Sequence, residues 1–527
     1  MTRQKKVGHI NAKCQIIVRM YRALGAQGGE YAGYLGDCFL IRVLNGNEPH
    51  AHILIDFGIL MGSAQAEVRM RQIATDIIKT TGGTFTADGK IENKGSLDLL
   101  VITHEHWDHI SGFSQAQDII FDGLAIKKLW MAWTEDDNDA FANQLRQDRD
   151  KRGVALAALS EIIQQAAESP TPSPFSADRQ IALSGLDAFL GPLVPNSEVG
   201  TVEPALAAAP VKAKRLKGRD IMNKLKAEAI AKEFLLPGQV VTAPGALKAF
   251  VLGPPRDLAR LKKDKPSGGS AKETYLDNRA FEDLLYRLVD GESHDPDNDS
   301  PFASRFHRIR TDHVRASSNA SPVIDVSADT SVLQWLYERY FAGAASDGRD
   351  QSRRTIDSDW LGAAGPLALK LDSDTNNTSL VLAFELPDNT FMLFPGDAQV
   401  GNWLSWHDQT YKDGAREFSA TEILGRVRFY KVGHHGSHNA TLKEGGLDLM
   451  THSELVAAIS TDESFGKQQG AKGWQMPNPH LKEAILAATR GRTFRNDDSL
   501  DVDYTQFNDS LYSTDLYLEY TVFNSME

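Results

Sequence analysis

The segment 97–109, LDLLVITHEHWDH, constrains the fold of this chain more than any other stretch. Its first seven residues are mostly apolar and predict a buried β-strand. Three imidazoles and two carboxyl groups follow within the next six positions. The pattern predicts a strand that carries a cluster of polar side chains on the loop at its carboxyl end.

Further short apolar runs predict strands on both sides of this segment. They cover 14–24, 38–44 and 52–58 before it, and 126–133, 246–255, 379–386, 391–397, 428–441, 455–461 and 516–523 after it. A helical pattern covers 66–82, and the glycine-rich stretch 25–37 predicts a loop. Charged and Pro/Ser-rich stretches separate the later strands. We therefore expect one α/β core interrupted by two insertions.

Composition allows a large core and excludes several classes of protein. Of the 527 residues, 41% are hydrophobic, the net charge is −13, and the only two cysteines are Cys14 and Cys38. Two cysteines cannot form a disulfide framework, and no run of about 18 apolar residues predicts a membrane span. The acidic charge argues against a protein that coats nucleic acid over its whole surface. We expect a cytoplasmic protein without a membrane segment.

The spacing of the polar side chains after the strand predicts a metal site. His104 and His106 alternate in an extended loop, so both imidazoles can point towards one ion. Asp108 and His109 are offset towards a second ion. Imidazole and carboxylate donors suit zinc and also accept manganese or iron. The alternative is a polar surface loop in which Asp108 caps a helix.

The motif His-x-His-x-Asp-His at 104–109 resembles the signature of the metallo-β-lactamase superfamily. Between Gly36 and Thr441, the order of further landmarks is similar to that in the hydrolase domain of ComEC-type competence DNA-uptake proteins. These landmarks are GDCFLIRV, ILIDFG, VLGPP, NNTSLVLAFE, LFPGDA and KVGHHGSHNAT. Those uptake proteins join the domain to a membrane channel, so the resemblance concerns the hydrolase module and not the transport role.

The resemblance implies a fold and a domain arrangement. The expected fold is α/β, a four-layered αββα sandwich with metal ions at one edge of two facing sheets. We predict one such domain over 12–527. It is interrupted by a helical and linker insertion at 134–240 and by a charged insertion at 256–375.

The resemblance also assigns roles to two aspartates. Asp56, at the end of ILID, matches a residue that holds the metal loop by hydrogen bonds and is not itself a ligand. Asp397, in FPGDA, matches the carboxylate that bridges both ions. The alternatives are a plain strand-ending turn for Asp56 and an ordinary Gly-Asp turn for Asp397.

Histidines in the carboxyl-terminal part of the chain complete the implied ligand set. Of His434 and His435, at least one is a ligand and the other contacts substrate. The histidine that the superfamily usually places before the bridging aspartate is missing from 375–397. His480, in MPNPHLKEAIL, is one replacement, and an exposed histidine at a helix start is the alternative. The predicted metal ligands are His104, His106, Asp108, His109, Asp397, His434, His435 and His480.

Four further residues are candidates for substrate binding. Lys431, Ser437 and His438 surround the GHHGS motif and could contact a phosphate, although each could equally be structural. Asn377, with Asn376, could orient the metal loop or the substrate, or form a turn. Asp56, Asp108 and His435 are the residues that we assign to catalysis.

These observations predict a metal-dependent hydrolase with two zinc ions per chain, or manganese in their place. Two ions about 3.5–4 Å apart generate a hydroxide nucleophile at neutral pH and clamp an anion. We therefore expect a phosphodiesterase or nuclease. The alternatives are a hydrolase of a lactone, thioester or cyclic nucleotide, and a metal-binding component of a multi-protein, defence-type assembly.

Two basic segments bear on the choice of substrate. Residues 212–226 and 305–315 are rich in Lys and Arg within an acidic chain. They are either solvated faces or a track for a nucleic-acid backbone. The sequence does not identify a protein partner.

Overall fold

The computed structural model describes residues 14–22, 34–46, 48–63, 65–167, 216–263, 371–439, 441–467, 474–497, 505–507 and 510–525, with the backbone alone for 154–167. The chain divides into two compact units. One comprises Met1–Gly153, Ile181–Thr274 and Ala368–Glu527, and the other comprises Val154–Gln180 and Tyr275–Leu367. Every described side chain belongs to the first unit.

Strands outnumber helices in the described part of the chain. The strands are β1 (Cys14–Tyr21), β2 (Phe39–Asn45), β3 (Glu48–Ile55), β4 (Thr84–Phe85), β5 (Ile91–Asn93), β6 (Gly95–Leu97), β7 (Leu99–Val101), β8 (Leu124–Ile126), β9 (Lys128–Ala132), β10 (Ala231–Leu235), β11 (Val240–Thr242), β12 (Lys248–Gly253), β13 (Val381–Glu385), β14 (Phe391–Phe394), β15 (Thr410–Asp413), β16 (Arg416–Ser419), β17 (Val427–Lys431), β18 (Val456–Ile459), β19 (Thr493–Arg495), β20 (Leu511–Ser513) and β21 (Tyr517–Asn524). The helices are α1 (Ala66–Thr80), α2 (Trp107–Ile110), α3 (Gly112–Gln115), α4 (Gln117–Gly123), α5 (Ala140–Ala167), α6 (Gly218–Glu228), α7 (Leu258–Leu261), α8 (Val400–Trp406), α9 (Ala420–Gly425), α10 (Glu463–Gly466) and α11 (Pro479–Thr489). The expected mixed α/β class is confirmed.

Two large sheets organise these strands. One has eight strands in the order β10-β9-β7-β3-β2-β1-β21-β20, and the other has seven in the order β11-β12-β13-β14-β17-β18-β19. Strands β3, β7, β9 and β10 run parallel to one another in the first sheet. Strands β14, β17, β18 and β19 run parallel in the second. The carboxyl ends of each parallel set therefore lie at a single edge of its sheet.

The alternation of side chains along the strands divides the core. Phe39 and Ile41 of β2 belong to an apolar cluster that also contains side chains of the second sheet, whereas Leu40 belongs to a cluster with the helices. A strand presents successive side chains to opposite faces, so one strand contributes to both clusters. The rings of Phe39 and Phe394, from different sheets, have centroids 5.8 Å apart. The two sheets thus share one apolar core.

Helices cover the other face of each sheet. In the first sheet, Leu40 and Leu54 pack in one cluster with Ile73 and Ile77 of α1. Apolar residues in α1 recur at helical spacing, which makes one side of that helix buried. In the second sheet, strand residues such as Phe250 share a cluster with side chains of α8, α9 and α11. Burial of apolar area on both faces supplies the main favourable free energy of this unit.

Most predicted strands are confirmed, and two boundaries need correction. The run 97–103 is not one strand, because β7 begins at Leu99 and 95–97 pairs with β8 instead. Between them, Asp98 accepts hydrogen bonds from the His52 amide at 2.9 Å and from the Lys127 ammonium at 2.8 Å. The predicted strand 428–441 ends at Lys431, where a 3-10 turn, Gly433–Gly436, follows.

The predicted charged insertion at 256–375 falls largely outside the described residues. Within 134–240, strand β10 pairs with β9 and extends the eight-stranded sheet, so part of this range contributes to the core. The domain boundaries themselves stay a prediction. Cys14 and Cys38 are both buried free thiols. No helix in the described part of the chain is long and apolar enough to cross a membrane.

The turn after β3 lies against the backbone of the polar motif. The Phe57 amide donates to the His109 carbonyl at 2.7 Å, and the Asp37 amide donates to the Asp108 carbonyl at 3.0 Å. At Gly58, an added Cβ would lie only 2.3 Å from the Asp108 carbonyl oxygen. The absence of a side chain at Gly58 therefore allows three loops to approach one another.

We expect Gly58→Ala to destabilise the protein by about 1–3 kcal/mol or more, because the new methyl group must displace backbone. Gly153→Ala is a matched control, since Gly153 lies in helix α5 and no described atom outside the backbone of that helix lies within 4 Å of its Cβ position. Alanine there should be neutral or stabilising, because it favours helix over glycine. Denaturant unfolding of both variants checks this expectation. Equal stability of the two variants would contradict the close packing at Gly58.

Candidate metal centre

Most of the predicted site residues follow the carboxyl ends of parallel strands. Asp56 follows β3 and the segment 104–109 follows β7, while Asp397 follows β14 and His434–His435 follow β17. Strands β3 and β7 are neighbours in one sheet, and β14 and β17 are neighbours in the other. The Leu380 amide, just before β13, donates to the Thr103 carbonyl at 2.9 Å and so ties the two sheets together beside these loops.

Four buried side chains form a compact group. The ligand atoms of Asp108, His109, Asp397 and His435 all lie within 4.8 Å of one another. His435 Nε2 is 2.7 Å from Asp108 Oδ2, and His109 Nε2 is 3.1 Å from Asp397 Oδ2. The structure thus brings together members of two motifs that are some three hundred residues apart, with a separation of 327 for Asp108 and His435.

Asp56 makes the hydrogen bonds that the resemblance implies. Its Oδ1 accepts from the Thr103 amide at 2.8 Å, and its Oδ2 accepts from the Thr103 hydroxyl at 2.6 Å. Oδ2 also lies 2.8 Å from His109 Nδ1. Because the carboxylate holds Nδ1 of His109, Nε2 is left to face the compact group. Such contacts orient metal-binding imidazoles in many proteins.

His435 is oriented in the same manner by a backbone carbonyl. Its Nδ1 is 2.9 Å from the carbonyl oxygen of Ser460, which can only accept a hydrogen bond. Nδ1 therefore carries a proton, and Nε2 points to Asp108. His104 is held by the Thr103 hydroxyl, 3.0 Å from its Nδ1.

Several buried polar atoms at this place lack hydrogen bonds within the described structure. They are His104 Nε2, His106 Nδ1 and Nε2, and Asp108 Oδ1. A buried polar atom without a partner costs free energy and needs an explanation. Imidazole nitrogens and carboxylate oxygens are the donors that zinc and manganese bind. The residues therefore fit a bound metal.

Burial determines the protonation of the outer imidazoles. It lowers the pKa of His106 to about 3 and that of His434 to about 4, and it lowers the pKa of His104 well below its usual value. These imidazoles are neutral at neutral pH, which is the form that binds a metal ion.

In contrast to these neutral imidazoles, the side chains of the compact group are charged. Burial disfavours the imidazolium of His109, but the carboxylates of Asp397 and Asp108 outweigh it and raise the pKa well above the ordinary value. For His435, burial is likewise outweighed by its hydrogen bond to Asp108, and the pKa is raised. The pKa of Asp397 is well below its usual range, because nearby cationic groups overcome the effect of burial.

Lys431, predicted to contact substrate, is buried and paired within the protein. Its ammonium forms an ion pair with Asp37 and lies 3.5 Å from Asp397 Oδ1. Asn377 is also buried, and its side-chain oxygen accepts from the Gln399 amide at 3.2 Å. These contacts position the loop around Asp397, and the substrate-binding roles of Lys431 and Asn377 stay predictions.

Ser437, His438 and His480 differ in their exposure and contacts. Ser437 is buried, and its hydroxyl donates to Asn439 Oδ1 at 3.0 Å, whereas His438 is exposed. His480 is exposed at the start of α11, where its amide donates to Asn478 Oδ1 at 3.1 Å. This exposure favours the helix-start alternative, and the ligand role of His480 stays a prediction.

The backbone at the paired histidines is strained. His434 and His435 have φ values of 41° and 53°, in the left-handed region that side chains usually avoid. Such conformations cost on the order of 1–3 kcal/mol each and persist where surrounding contacts impose them, often at functional sites. Here the His434 amide donates to Asp397 Oδ1 at 3.1 Å. The left-handed backbone conformation therefore places the two imidazoles beside the loop that carries Asp397.

Sequence reasoning missed several residues of the site. Asp37 pairs with Lys431, and Ser460 holds His435. Asp372 is buried with Oδ1 3.9 Å from His106 Nε2. Asp37 lies in the landmark GDCFLIRV and could have been found there, but nothing in the local sequence distinguishes Asp372 from other acids of the charged stretch.

Described residues of the first basic segment form ion pairs within the protein. Arg219 contacts Glu105 at 2.6 Å and Glu135 at 2.9 Å. Lys226 contacts Asp137 at 3.0 Å. Residues 212–215 and the second segment, 305–315, lie outside the described residues. The role of these segments in binding nucleic acid stays a prediction.

Comparison with known proteins adds no relative: no protein-family model matches the chain, and no curated sequence is significantly similar to it.

We expect Asp56→Asn to weaken metal binding by about 10–100-fold, the usual cost of losing a partner that orients a ligand. The amide cannot accept from Thr103 and also hold His109 in the same orientation. Asp98→Asn is the control, because Asp98 lies at the other end of β7 and contacts His52 and Lys127 instead. Titration of the metal-free proteins with zinc against a competing chelator measures both affinities. Equal losses in the two variants would contradict an orienting role.

Metal binding should release protons and strengthen as pH rises from about 6 to 8. The reason is that the pKa values of His109 and His435 are raised, so the metal-free chain holds protons that the metal must displace. Calorimetry at pH 7 in buffers of different ionisation enthalpy should show release of at least about one proton per chain. A binding enthalpy that does not depend on the buffer would contradict this.

Proposed function

We propose that this protein is a metal-dependent hydrolase that cleaves a phosphodiester bond, as a nuclease or related phosphodiesterase. The observation that carries the proposal is the compact, buried group of Asp108, His109, Asp397 and His435. Burying two carboxylates and two imidazoles together is costly unless they serve a charged ligand.

The proposed fold is the four-layered αββα sandwich of the metallo-β-lactamase superfamily. Three observations support it. The first two are that the sheets share one apolar core and that each sheet packs its other face against helices. A third is the position of the polar group, at the carboxyl ends of parallel strands in both sheets. The superfamily has its metal site at such an edge.

The residues that would hold metal divide into two sets. Asp108, His109, Asp397 and His435 would hold one ion, and His104 and His106 would contribute to the other. Zinc is the proposed metal, with manganese as the alternative. When bound, such a pair of ions activates water at neutral pH and stabilises negative charge on a phosphoryl oxygen.

The chain's own residues supply orientation and charge balance. Asp56 keeps Nε2 of His109 turned towards Asp397, and the Ser460 carbonyl keeps Nε2 of His435 turned towards Asp108. Lys431 offsets the charge of Asp37 and lies near Asp397, so this part of the site holds fewer uncompensated carboxylates. Preorganised groups of this kind do not need to rearrange during the reaction.

We propose that an anionic substrate approaches the site beside the loop that follows β17. His438 is exposed on that loop, three residues beyond His435, and can reach a molecule in solvent. The order of landmarks shared with ComEC-type hydrolase domains supports a phosphodiester rather than an acyl substrate. The proposed contact of His438 is with a phosphate oxygen.

The test is a panel of substrates assayed with zinc and with manganese. Single- and double-stranded DNA and RNA should be cleaved by the metal-loaded protein. Asp397→Asn should lower kcat/KM by more than about 100-fold, since loss of a ligand should cost more than loss of an orienting partner. His452→Ala is the control, because His452 lies outside the site and its Nδ1 accepts from the Glu454 amide at 3.2 Å.

Two outcomes would contradict the proposal, and each would favour a different function. Hydrolysis of a lactone, thioester or cyclic nucleotide, with no cleavage of nucleic acid, would assign a small-molecule hydrolase. Tight metal binding without hydrolysis of any substrate would favour a binding component of an assembly.

A further inference from the structure

One half of the metal motif lies outside the compact group. His104 and His106 are not members of the set whose ligand atoms lie within 4.8 Å of one another. Both imidazoles are buried, at 2% and 1% exposure. His104 Nε2 and both ring nitrogens of His106 have no hydrogen-bond partner among the described residues. These nitrogens need a ligand, and the tight group does not supply it.

The sequence does not provide the histidine expected to complete this half. None occurs between 375 and 397, and His480 is exposed at a helix start. The structure instead brings a carboxylate to this place. Asp372 lies in the helical turn 371–376, which precedes β13, and its Oδ1 is 3.9 Å from His106 Nε2.

The contacts of Asp372 leave one oxygen directed at His106. Its Oδ2 accepts a hydrogen bond from Asn376 Nδ2 at 3.1 Å. Its Oδ1 is buried and has no hydrogen bond within the described structure. One oxygen is therefore held by an amide, and the other is available to a ligand. Carboxylates that bind metals are commonly held by such hydrogen bonds.

Asp374, an acid in the same helical turn, differs from Asp372 because it has a cationic partner. Asp374 contacts Arg152 at 2.6 Å, so its charge is balanced within the protein. For Asp372, no ion pair with lysine or arginine is found in the described ranges, and the nearest basic nitrogen described there is His106 Nε2, 3.9 Å from Oδ1. A buried carboxylate without a cation is strongly unfavourable, and a metal ion would supply the missing charge.

We propose that Asp372 is a protein ligand of the ion held by His104 and His106. This rests on the proposed dinuclear hydrolase and deepens it, because it names the group that replaces the absent histidine. Besides the carboxylate of Asp397, which the resemblance assigns to both ions, this half would then have two imidazoles and one carboxylate, a set that binds catalytic zinc with a position open to water. The carboxylate also makes this half more suitable for manganese than a set of three imidazoles.

The experiment measures metal stoichiometry and affinity without relying on activity. Metal-free wild-type protein and its variants are titrated with zinc against a chelator, and with cobalt while its visible absorption is recorded. Wild type should bind two ions. Asp372→Asn should keep one tight site and lose affinity at the other by at least about 100-fold, the upper end of the cost of an orienting residue.

Two further variants serve as controls. Asp374→Asn changes the same functional group two residues away and should leave both affinities as in wild type. Asp372→His restores a donor of the usual type and should recover a second site. The cobalt spectrum of Asp372→His should differ from that of wild type, because imidazole replaces carboxylate.

The outcomes separate this inference from the proposed function. If Asp372→Asn binds two ions with wild-type affinities, Asp372 is not a ligand, and the hydrolase proposal is unaffected. If Asp372→Asn does not fold, as judged by circular dichroism, Asp372→His decides, and failure to bind a second ion overturns the inference. A wild-type protein that binds no metal overturns both. A wild type that binds two ions and loses one in Asp372→Asn, but cleaves no phosphodiester, supports the ligand and contradicts only the assigned substrate.

Discussion

The carboxylates of Asp37, Asp56, Asp108 and Asp397 are all buried at the same edge of the two sheets, and the rest of the structure depends on how their charge is balanced. Taking a carboxylate out of water costs several kcal/mol unless an opposite charge or hydrogen bonds compensate it. Four unbalanced carboxylates would cost more than the total stability of a typical domain. The fold therefore requires cationic partners at this edge.

Protein groups provide part of that balance. Lys431 is paired with Asp37, and His109 lies between Asp56 and Asp397, with one ring nitrogen directed to each. In the metal-free chain, protons on His109 and His435 complete the balance, which is why their pKa values are raised. Bound cations would take over this role from the protons. Charge balance and metal affinity are thus two aspects of one arrangement.

The imidazoles in the two halves of the site differ in protonation. His109 and His435 contact carboxylates directly, so their imidazoles retain protons. His104 and His106 have carboxylates at greater distance, and burial dominates, so their imidazoles are neutral. An ion approaching the second half displaces no proton from these imidazoles. It does need negative charge there, and the nearest described source is Asp372.

Sequence alone determined which local elements form and which of them carry candidate ligands. The short apolar runs predict the strands because apolar content is a local property, and the spacing of residues 104–109 predicts metal chemistry because it is a feature of one loop. Contacts of residues distant in sequence could not be predicted in this way. Lys431 lies beside GHHGS and suggests a substrate contact, but parallel pairing of β14 and β17 turns it inward to Asp37 and Asp397. Asp372 is one acid among many in its stretch, and only the packing of its helical turn brings Oδ1 near His106. The types of candidate ligand can be read from short segments of the sequence. The residues that each of them contacts depend on which strand ends meet, and this depends on the packing of the whole core.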